Sequence, residues 1–246
     1  MIGEPRFDFD EISSTNDAAA AAAKQGVPDG AVFVAQHQTA GRGRRGARWN
    51  AQAGESVLMT VVLSPKGSPA TAWRLGWLAC LSVISTLRDL GLAAQCKWPN
   101  DVVVNGKKIA GVLVETSTKT GDGYFAYVGI GVNILQRDFG DPSNFRITPT
   151  SVALELSTPA PTLNAVVDKI CRRLDALYFA DGSGWEEAAA SYRGYIVLGE
   201  KQTGIDPVTG ESIVGRLADI REEDGAALLQ ISDNQYRYAF PEIILV

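Results

Sequence analysis

Apolar positions change their spacing several times along the chain, and each change marks an element. After a short start of alternating apolar and polar residues, "SSTNDAAAAAAKQG" offers Ser, Thr and Asn as N-caps, an alanine run of high helix propensity and Gly26 as a stop. "AVFVAQHQ" and "ESVLMTVVL" read as strands with only irregular sequence between them, so "TAGRGRRGARWN" (residues 39–50) joins strand to strand. A long amphipathic helix is expected over residues 69–90. Beyond it lie strand-like "AAQCKWP", then "DVVV" and "KKIAGVLVE" joined through Asn105-Gly106, a strong two-residue hairpin signal. "GYFAYVGIGVNI" predicts another strand, whose glycines leave one face open. From 149 to 194 the spacing turns helical, notably in "LNAVVDKICRRLDALYF", and from about 195 short strands follow with turns at "DPVTGE" and "EEDGA". The pattern therefore predicts a larger unit over 1–194, a boundary near Gly194 and a small β-barrel over 195–246.

With 246 residues, 46% apolar and 21% charged, the chain is long enough to bury a large core, and disorder is excluded. A net charge of −5 argues against the broad basic surface of a nonspecific nucleic-acid binder. Arg42, Arg44, Arg45 and Arg48 thus form a local positive island in an acidic protein, better suited to a small anion than to a polymer. Cys80, Cys96 and Cys171 are odd in number, widely spaced and without a CxxC pair, so neither a disulfide framework nor a cysteine zinc site is readable. The start "MIGEPRFDFDE" has no apolar signal region, and segment 69–90 contains Arg74, Arg88 and Asp89. A soluble, cytoplasmic protein with no membrane partner is expected.

The Gly-Arg-Gly-Arg-Arg-Gly string matches G-x-G-x-x-G, a spacing that different folds use differently. A dinucleotide fold needs a helix directly after it, and none is predicted. A protein kinase needs catalytic H-R-D and D-F-G motifs, which are absent, as is Walker A. What remains is a mobile loop whose glycines admit close backbone approach and whose guanidiniums offer bidentate bonds to phosphate or carboxylate. A solvated basic loop is the other reading, and at this point both stand.

Lys97 lies at a strand end, and Pro99 biases Trp98 towards extended backbone, so a stiff chain aims the ammonium. Beside a reacting phosphate, such a group contributes about 3–4 kcal/mol of transition-state stabilisation; the alternative is a surface lysine beside a structural Trp-Pro turn. "GIGVN" presents small residues and Asn133, where a flat ligand could approach the backbone, although tight strand packing gives the same pattern. "STN" (14–16) reads first as a helix cap whose hydroxyls could also bind a polar ligand head. His37 is the only histidine and no HExxH is present, so side-chain nucleophilic catalysis and a protein metal cage both lack support. Magnesium carried in with phosphates is the expected ion, and the chemistry should rest on arginine, lysine, backbone amides and a substrate's own nucleophile.

Taken together and in order, "STN", "GRGRRGARW", "KWPND", "KKIAGVLVE" and "GIGVNI" resemble the motifs of the biotin protein ligases, the biotin-[acetyl-CoA-carboxylase] ligases. The resemblance runs from about residue 7 to the end, and the last fifty residues match only in size and hairpin pattern. It implies an α+β catalytic domain, a mixed sheet with helices related to class II aminoacyl-tRNA synthetases, followed by a small C-terminal SH3-like β-barrel. It implies that biotin's carboxylate attacks ATP to give biotinyl-5′-adenylate, and that a lysine of a biotin carboxyl carrier protein then takes the biotin. By motif, Ser14, Thr15, Asn16 and Gln38 look like partners of the biotin ureido head. Gly41, Arg42, Gly43 and Arg44 look like a loop that folds over biotin and the adenylate, with Arg45 and Trp49 among the adenylate contacts. Lys97 resembles the lysine that contacts both the biotin carboxylate and the α-phosphate, and acts with Arg42 and Arg44. Gly111, Gly129 and Gly131 look like the floor of the pocket, and Asn133 resembles the residue near the phosphates and Mg2+. His37 is left without a role. The catalytic motif begins within fifteen residues of Met1, so no helix-turn-helix and no operator DNA binding are expected, while a homodimer stays open. The rivals are a lipoate or octanoate ligase and, in a different class, a nucleic-acid-binding module using the arginine loop.

Overall fold

In the computed structural model, which describes residues 1–180, 184–206, 209–240 and 244–245, the apolar segments assemble into two sheets with covering helices. The first sheet contains β1 (Arg6–Ile12), β2 (Val32–Gln38), β3 (Ser56–Leu63), β4 (Gln95–Lys97), β5 (Asp101–Val104), β6 (Lys107–Thr118) and β7 (Tyr124–Asn133). Their order is β1-β2-β3-β7-β6-β5-β4. β1 and β2 are parallel and the other neighbours antiparallel, while β12 (Ile244–Leu245) adds in parallel to β6 beyond the end of β5. The fold is α+β with a mixed sheet.

Alternation gives the central strands two unlike faces. Ala110 and Val112 with Val128, Ile130 and Val132 point to one side, into a core shared with α2 (Trp73–Arg88) and α4 (Leu163–Tyr178). The helical stretch Pro69–Arg88, which includes α2, is long and apolar enough to cross a membrane, but its apolarity has a local cause: α2 is covered by the sheet and by α4. It is shorter than the expected 69–90, because Pro69 opens a separate turn capped by Ser68, and Gly91, at φ +86°, turns the chain away after the C-terminus.

On the opposite face, α1 (Thr15–Ala23) covers only one end of the sheet, setting Ala19 and Ala23 on Phe33, Val62 and Tyr127. Ser14 stands at its N-cap in extended conformation, yet its side chain makes no cap hydrogen bond, contrary to the sequence expectation. Ser14, Thr15 and Asn16 are all buried, and the side chains of Thr15 and Asn16 hydrogen-bond to residues of the sheet. The Asn105-Gly106 hairpin is as expected, both residues having positive φ (52° and 74°), as a type I′ turn requires.

After α3 (Val152–Glu155), α4 and α5 (Gly184–Tyr195), the chain forms an antiparallel sheet of β8 (Lys201–Ile205), β9 (Ser212–Ile220), β10 (Ala227–Ser232) and β11 (Gln235–Ala239). Of the "DPVTGE" turn, Pro207 and Val208 lie outside the described residues; around them the Asp206 N–H donates to the Glu211 carbonyl at 2.8 Å. The "EEDGA" turn closes through the Arg221 N–H and the Ala226 carbonyl at 2.7 Å. Gly194 falls in the last turn of α5. Ile213, Leu217 and Leu229 share one buried cluster with Trp98 and Tyr192, and a Cβ at Gly204 would come within 3.0 Å of Trp98, so the second sheet packs directly on the first unit.

Trp77 is the centre of this packing: its ring stacks on Tyr192 at 4.1 Å between centroids and 5° between planes, and it is 1% exposed. Trp77→Ala is expected to lower the unfolding free energy in urea by about 3–5 kcal/mol, and a loss below about 1 kcal/mol would contradict this packing.

Candidate active site

The face left uncovered by α1 is hollow because three of its positions carry no side chain. Leu58, Gly131, Gly111, Asp101 and Lys97 are register partners across β3, β7, β6, β5 and β4, so they form one row on one face, and Gly129 lies two residues from Gly131 on the same side. The hollow is filled by neighbours. A Cβ at Gly129 would come within 2.4 Å of Asn16 Oδ1, and one at Gly131 within 2.6 Å of the Trp49 ring. A Cβ at Gly111 would come within 3.1 Å of the Trp49 ring and 3.3 Å of the Lys108 ammonium.

At the α1 end stands a group of polar side chains. Gln38 Oε1 accepts from the Thr15 N–H at 2.7 Å and from the Thr15 hydroxyl at 3.0 Å. The Thr60 hydroxyl lies 2.8 Å from Thr15 Oγ1 and 2.5 Å from Asn16 Oδ1, and its single proton serves one of them at a time. The Asn16 amide nitrogen donates to Glu115 Oε2 at 2.7 Å. Thr15, Asn16 and Gln38, singled out in the sequence, are therefore brought together, and Ser14 is buried beside them at the start of α1. Thr60 and Glu115 were missed. Their signal was present: Glu115 lies four residues from Gly111 on the same strand, so alternation alone places it on the same face.

Residues 41–49 form a small hairpin rather than an open loop. The Trp49 N–H donates to the Gly41 carbonyl at 3.0 Å and the Gly43 N–H to the Ala47 carbonyl at 2.6 Å, with Arg42 bridged to Arg48 and Arg45 at φ 55° at the tip. Arg42 fastens it to the sheet, donating through Nε and Nη2 to the two Glu115 oxygens at 2.9 and 2.8 Å, and pairing with Asp17 at 2.7 Å. Glu115 is the main reason that the Arg42 guanidinium is held still more firmly in its charged form. Arg44 reaches Asn100 Oδ1 at 3.4 Å. The Trp49 indole N–H is buried on the glycine floor with no acceptor.

Two lysines flank the floor. Lys97 shares the glycine row, but its ammonium pairs with Glu200 at 2.7 Å, just before β8, and this hydrogen bond holds the Glu200 carboxyl below its ordinary range. Lys108 pairs with Asp101 at 2.6 Å and lies 5.5 Å from the Trp49 ring centroid. Sequence periodicity could not find it. Strict alternation puts residues 108 and 111 on opposite faces, but the register shift between Val102 and Val103 leaves Ile109 as an extra residue in β6 and turns Lys108 to the glycine side. Asn133, at the end of β7, donates to the Thr150 carbonyl at 2.9 Å, while Ser56 donates to its Oδ1 at 3.5 Å. His37 pairs with Glu11 at the surface, at 2.9 Å. Among the described residues, no group of three or more His, Cys, Asp or Glu side chains converges on one point.

Glu155 steadies the Lys108 end. It accepts from Thr150 (2.6 Å), Asn105 (2.9 Å) and Lys107 (3.3 Å), and the Lys108 backbone pairs with Thr148 and Thr150. Burial pushes the Glu155 carboxyl up, but these three donors outweigh it and hold it below its ordinary value of 4.5. A carboxyl depressed on folding stabilises above its unfolded value and loses that contribution as pH falls through the folded one. The stability gap between the wild type and Glu155→Gln should therefore be constant above about pH 5 and shrink on further acidification; a gap unchanged down to about pH 3 would contradict this. In Gly131→Ala, the new methyl meets an indole on a surface hairpin, so the protein should fold while Trp49 swings out, seen as a red-shifted emission that is absent when Trp49 is also Phe. An unshifted spectrum would contradict the stacking.

Against this geometry, the model of the biotin/lipoate A/B protein ligase family matches residues 9–133. The biotin–[acetyl-CoA-carboxylase] ligase of Mycobacterium tuberculosis is 32% identical over 221 residues, covering 87% of this chain and 79% of that one. The ligase of the same name from Paracoccus denitrificans is 44% identical over 113 residues, 44% of this chain and 46% of its own. Among solved structures, a biotin protein ligase from Aquifex aeolicus in complex with biotin and ATP aligns with a TM-score of 0.75 at 25% identity, over 97% of this chain and 96% of that chain. With the glycine floor, the polar group beside α1 and the arginine hairpin all lying within or beside the matched span, the chain belongs to the biotin/lipoate A/B protein ligase family and is an enzyme of its biotin protein ligase branch.

Proposed function

We propose that the protein joins biotin and ATP into biotinyl-5′-adenylate and transfers the biotinyl group to one lysine of a biotin carboxyl carrier protein. The observation that carries this reading is the convergence on one sheet face of a polar head, a floor without side chains and an arginine hairpin, where the hydroxyls bond to amides and to each other and the single histidine pairs with Glu11 at the surface. A bicyclic ligand with a flat polar head and an anionic tail fits that order once the Trp49 indole moves off the floor: the head at Thr15, Asn16 and Gln38, the rings over Gly131 in the place of the indole, and the carboxylate towards Lys108 and the hairpin.

In the first step, a biotin carboxylate oxygen bonds to the α-phosphorus of ATP and pyrophosphate leaves. The two reactants repel each other, so the cations around the floor serve to bring them together, and fixed charges in a water-poor site do so most effectively. In the second step, the carrier's ε-amine bonds to the carbonyl carbon of the mixed anhydride, AMP leaves and the amine gives up its proton. The hairpin of residues 41–49, with Arg42 and Arg44, covers the anhydride and keeps water from it between the two steps. Mg2+ would accompany ATP and offset phosphate charge, and Asn133 at the end of β7 would be the residue near it. The sheet β8–β11 acts as an SH3-like barrel over about residues 195–246 and helps to hold the carrier or ATP. Three free, buried cysteines are compatible with a reducing cytoplasm. Lipoate and octanoate remain the competing substrates of the same chemistry.

Pyrophosphate exchange into ATP with magnesium should be driven by biotin and not by lipoate or octanoate; exchange driven by either of the latter would overturn the substrate. In the same assay, Lys108→Ala is expected to lose about a hundredfold or more in rate, the cost typical of one lost transition-state donor. Lys97→Ala should lose less, about tenfold: both ammonium groups are paired, but that of Lys108 already lies over Gly111 on the floor, whereas that of Lys97 is turned to Glu200 of the second sheet; the reverse order would return the central role to Lys97. Arg44→Gly should release adenylate into solution, and unchanged retention of the intermediate would count against the covering hairpin.

A further inference from the structure

We infer that Glu115 fixes the hydrogen-bond polarity of the pocket head, making it select for ligands that present N–H donors; this rests on the biotin reading above. Glu115 is 3% exposed, on the glycine face of β6, and its carboxylate can only accept. Arg42 Nε and Nη2 and the Asn16 amide nitrogen point to it. The Asn16 side chain therefore has one orientation, with its NH2 towards Glu115 and Oδ1 over Gly129, where a Cβ would come within 2.4 Å of that oxygen. Thr60 supplies at most one proton there and shares it with Thr15, so Asn16 Oδ1 keeps a lone pair for a ligand.

The neighbouring Gln38 oxygen already accepts twice from Thr15, so Asn16 Oδ1 is the acceptor left open. A ureido ring brings an N–H group to it, whereas the head of lipoate or octanoate brings none and leaves that lone pair unpaired, which a buried site penalises. Glu115 touches no ligand in this scheme. It is a positioning residue that acts through Asn16, and because the same carboxylate clasps Arg42, head recognition and the seating of the hairpin share one anchor.

Isothermal titration with biotin tests this. Glu115→Gln lets an amide donate where only acceptance was available, so the Asn16 amide turns and the biotin Kd should rise about tenfold or more. The exchanged pair Asn16→Asp with Glu115→Gln restores one donor facing one carboxylate, with an acceptor again over the floor, and should bind biotin within about threefold of the wild type. That recovery separates polarity from a merely structural role, because both proteins carry the same change at position 115. If Glu115→Gln binds biotin within about twofold of the wild type, or the exchanged pair stays about tenfold weak, the inference fails. Should the single variant not fold, the exchanged pair alone decides. A wild type that binds no biotin at all removes the proposed function and this inference with it.

Discussion

Three missing side chains organise this protein. Gly111, Gly129 and Gly131 lie on neighbouring strands at the middle of an otherwise well-covered sheet, and the space that they leave is what Asn16, Trp49 and Lys108 enter. A sheet face carrying valine at those positions would exclude them, and the hairpin of residues 41–49 would have nothing to settle on. The opposite face shows the contrast: the same two strands present Ala, Val and Ile there, and α2 with α4 closes over them. One sheet is thus a core on one side and a receptacle on the other, through alternation alone.

Polar groups in such a receptacle must satisfy one another. Glu115 does most of this, accepting from Asn16 and twice from Arg42. Desolvating a carboxylate is expensive, and removing one partner of a buried ion pair costs about 3–5 kcal/mol, whereas replacing the whole pair by apolar residues is often neutral. Stability alone therefore gives little reason to keep Glu115. Its geometry gives another: it orients an amide on the floor and holds the base of the hairpin at the same time.

The second sheet is tied to this face as well as to the core. Glu200 takes the Lys97 ammonium at the end of the glycine row, and Gly204 lets β8 lie close against Trp98 on the turn between β4 and β5. A shift of the second sheet would therefore reach the row through Lys97, and its packing bears on the site from outside the glycine floor.

Much of this was legible in the chain itself. The helix over the alanine run, the Asn105-Gly106 hairpin, the strand-to-strand placement of the arginine segment and the open glycine face all follow from local rules of dihedral preference and side-chain alternation. The motifs also held Thr15, Asn16 and Gln38, which the fold groups together. What local rules could not supply was pairing between distant strands. The extra residue at Ile109 reverses the alternation and turns Lys108 onto the floor, Lys97 is drawn away by a glutamate about a hundred residues later in the sequence, and Trp49 fills the hollow that its own loop covers. Sequence determined which residues would be strand, turn or helix and which faces were apolar. Tertiary structure decided which charges meet, because register, bulges and long-range ion pairs are set between segments that have no local knowledge of one another.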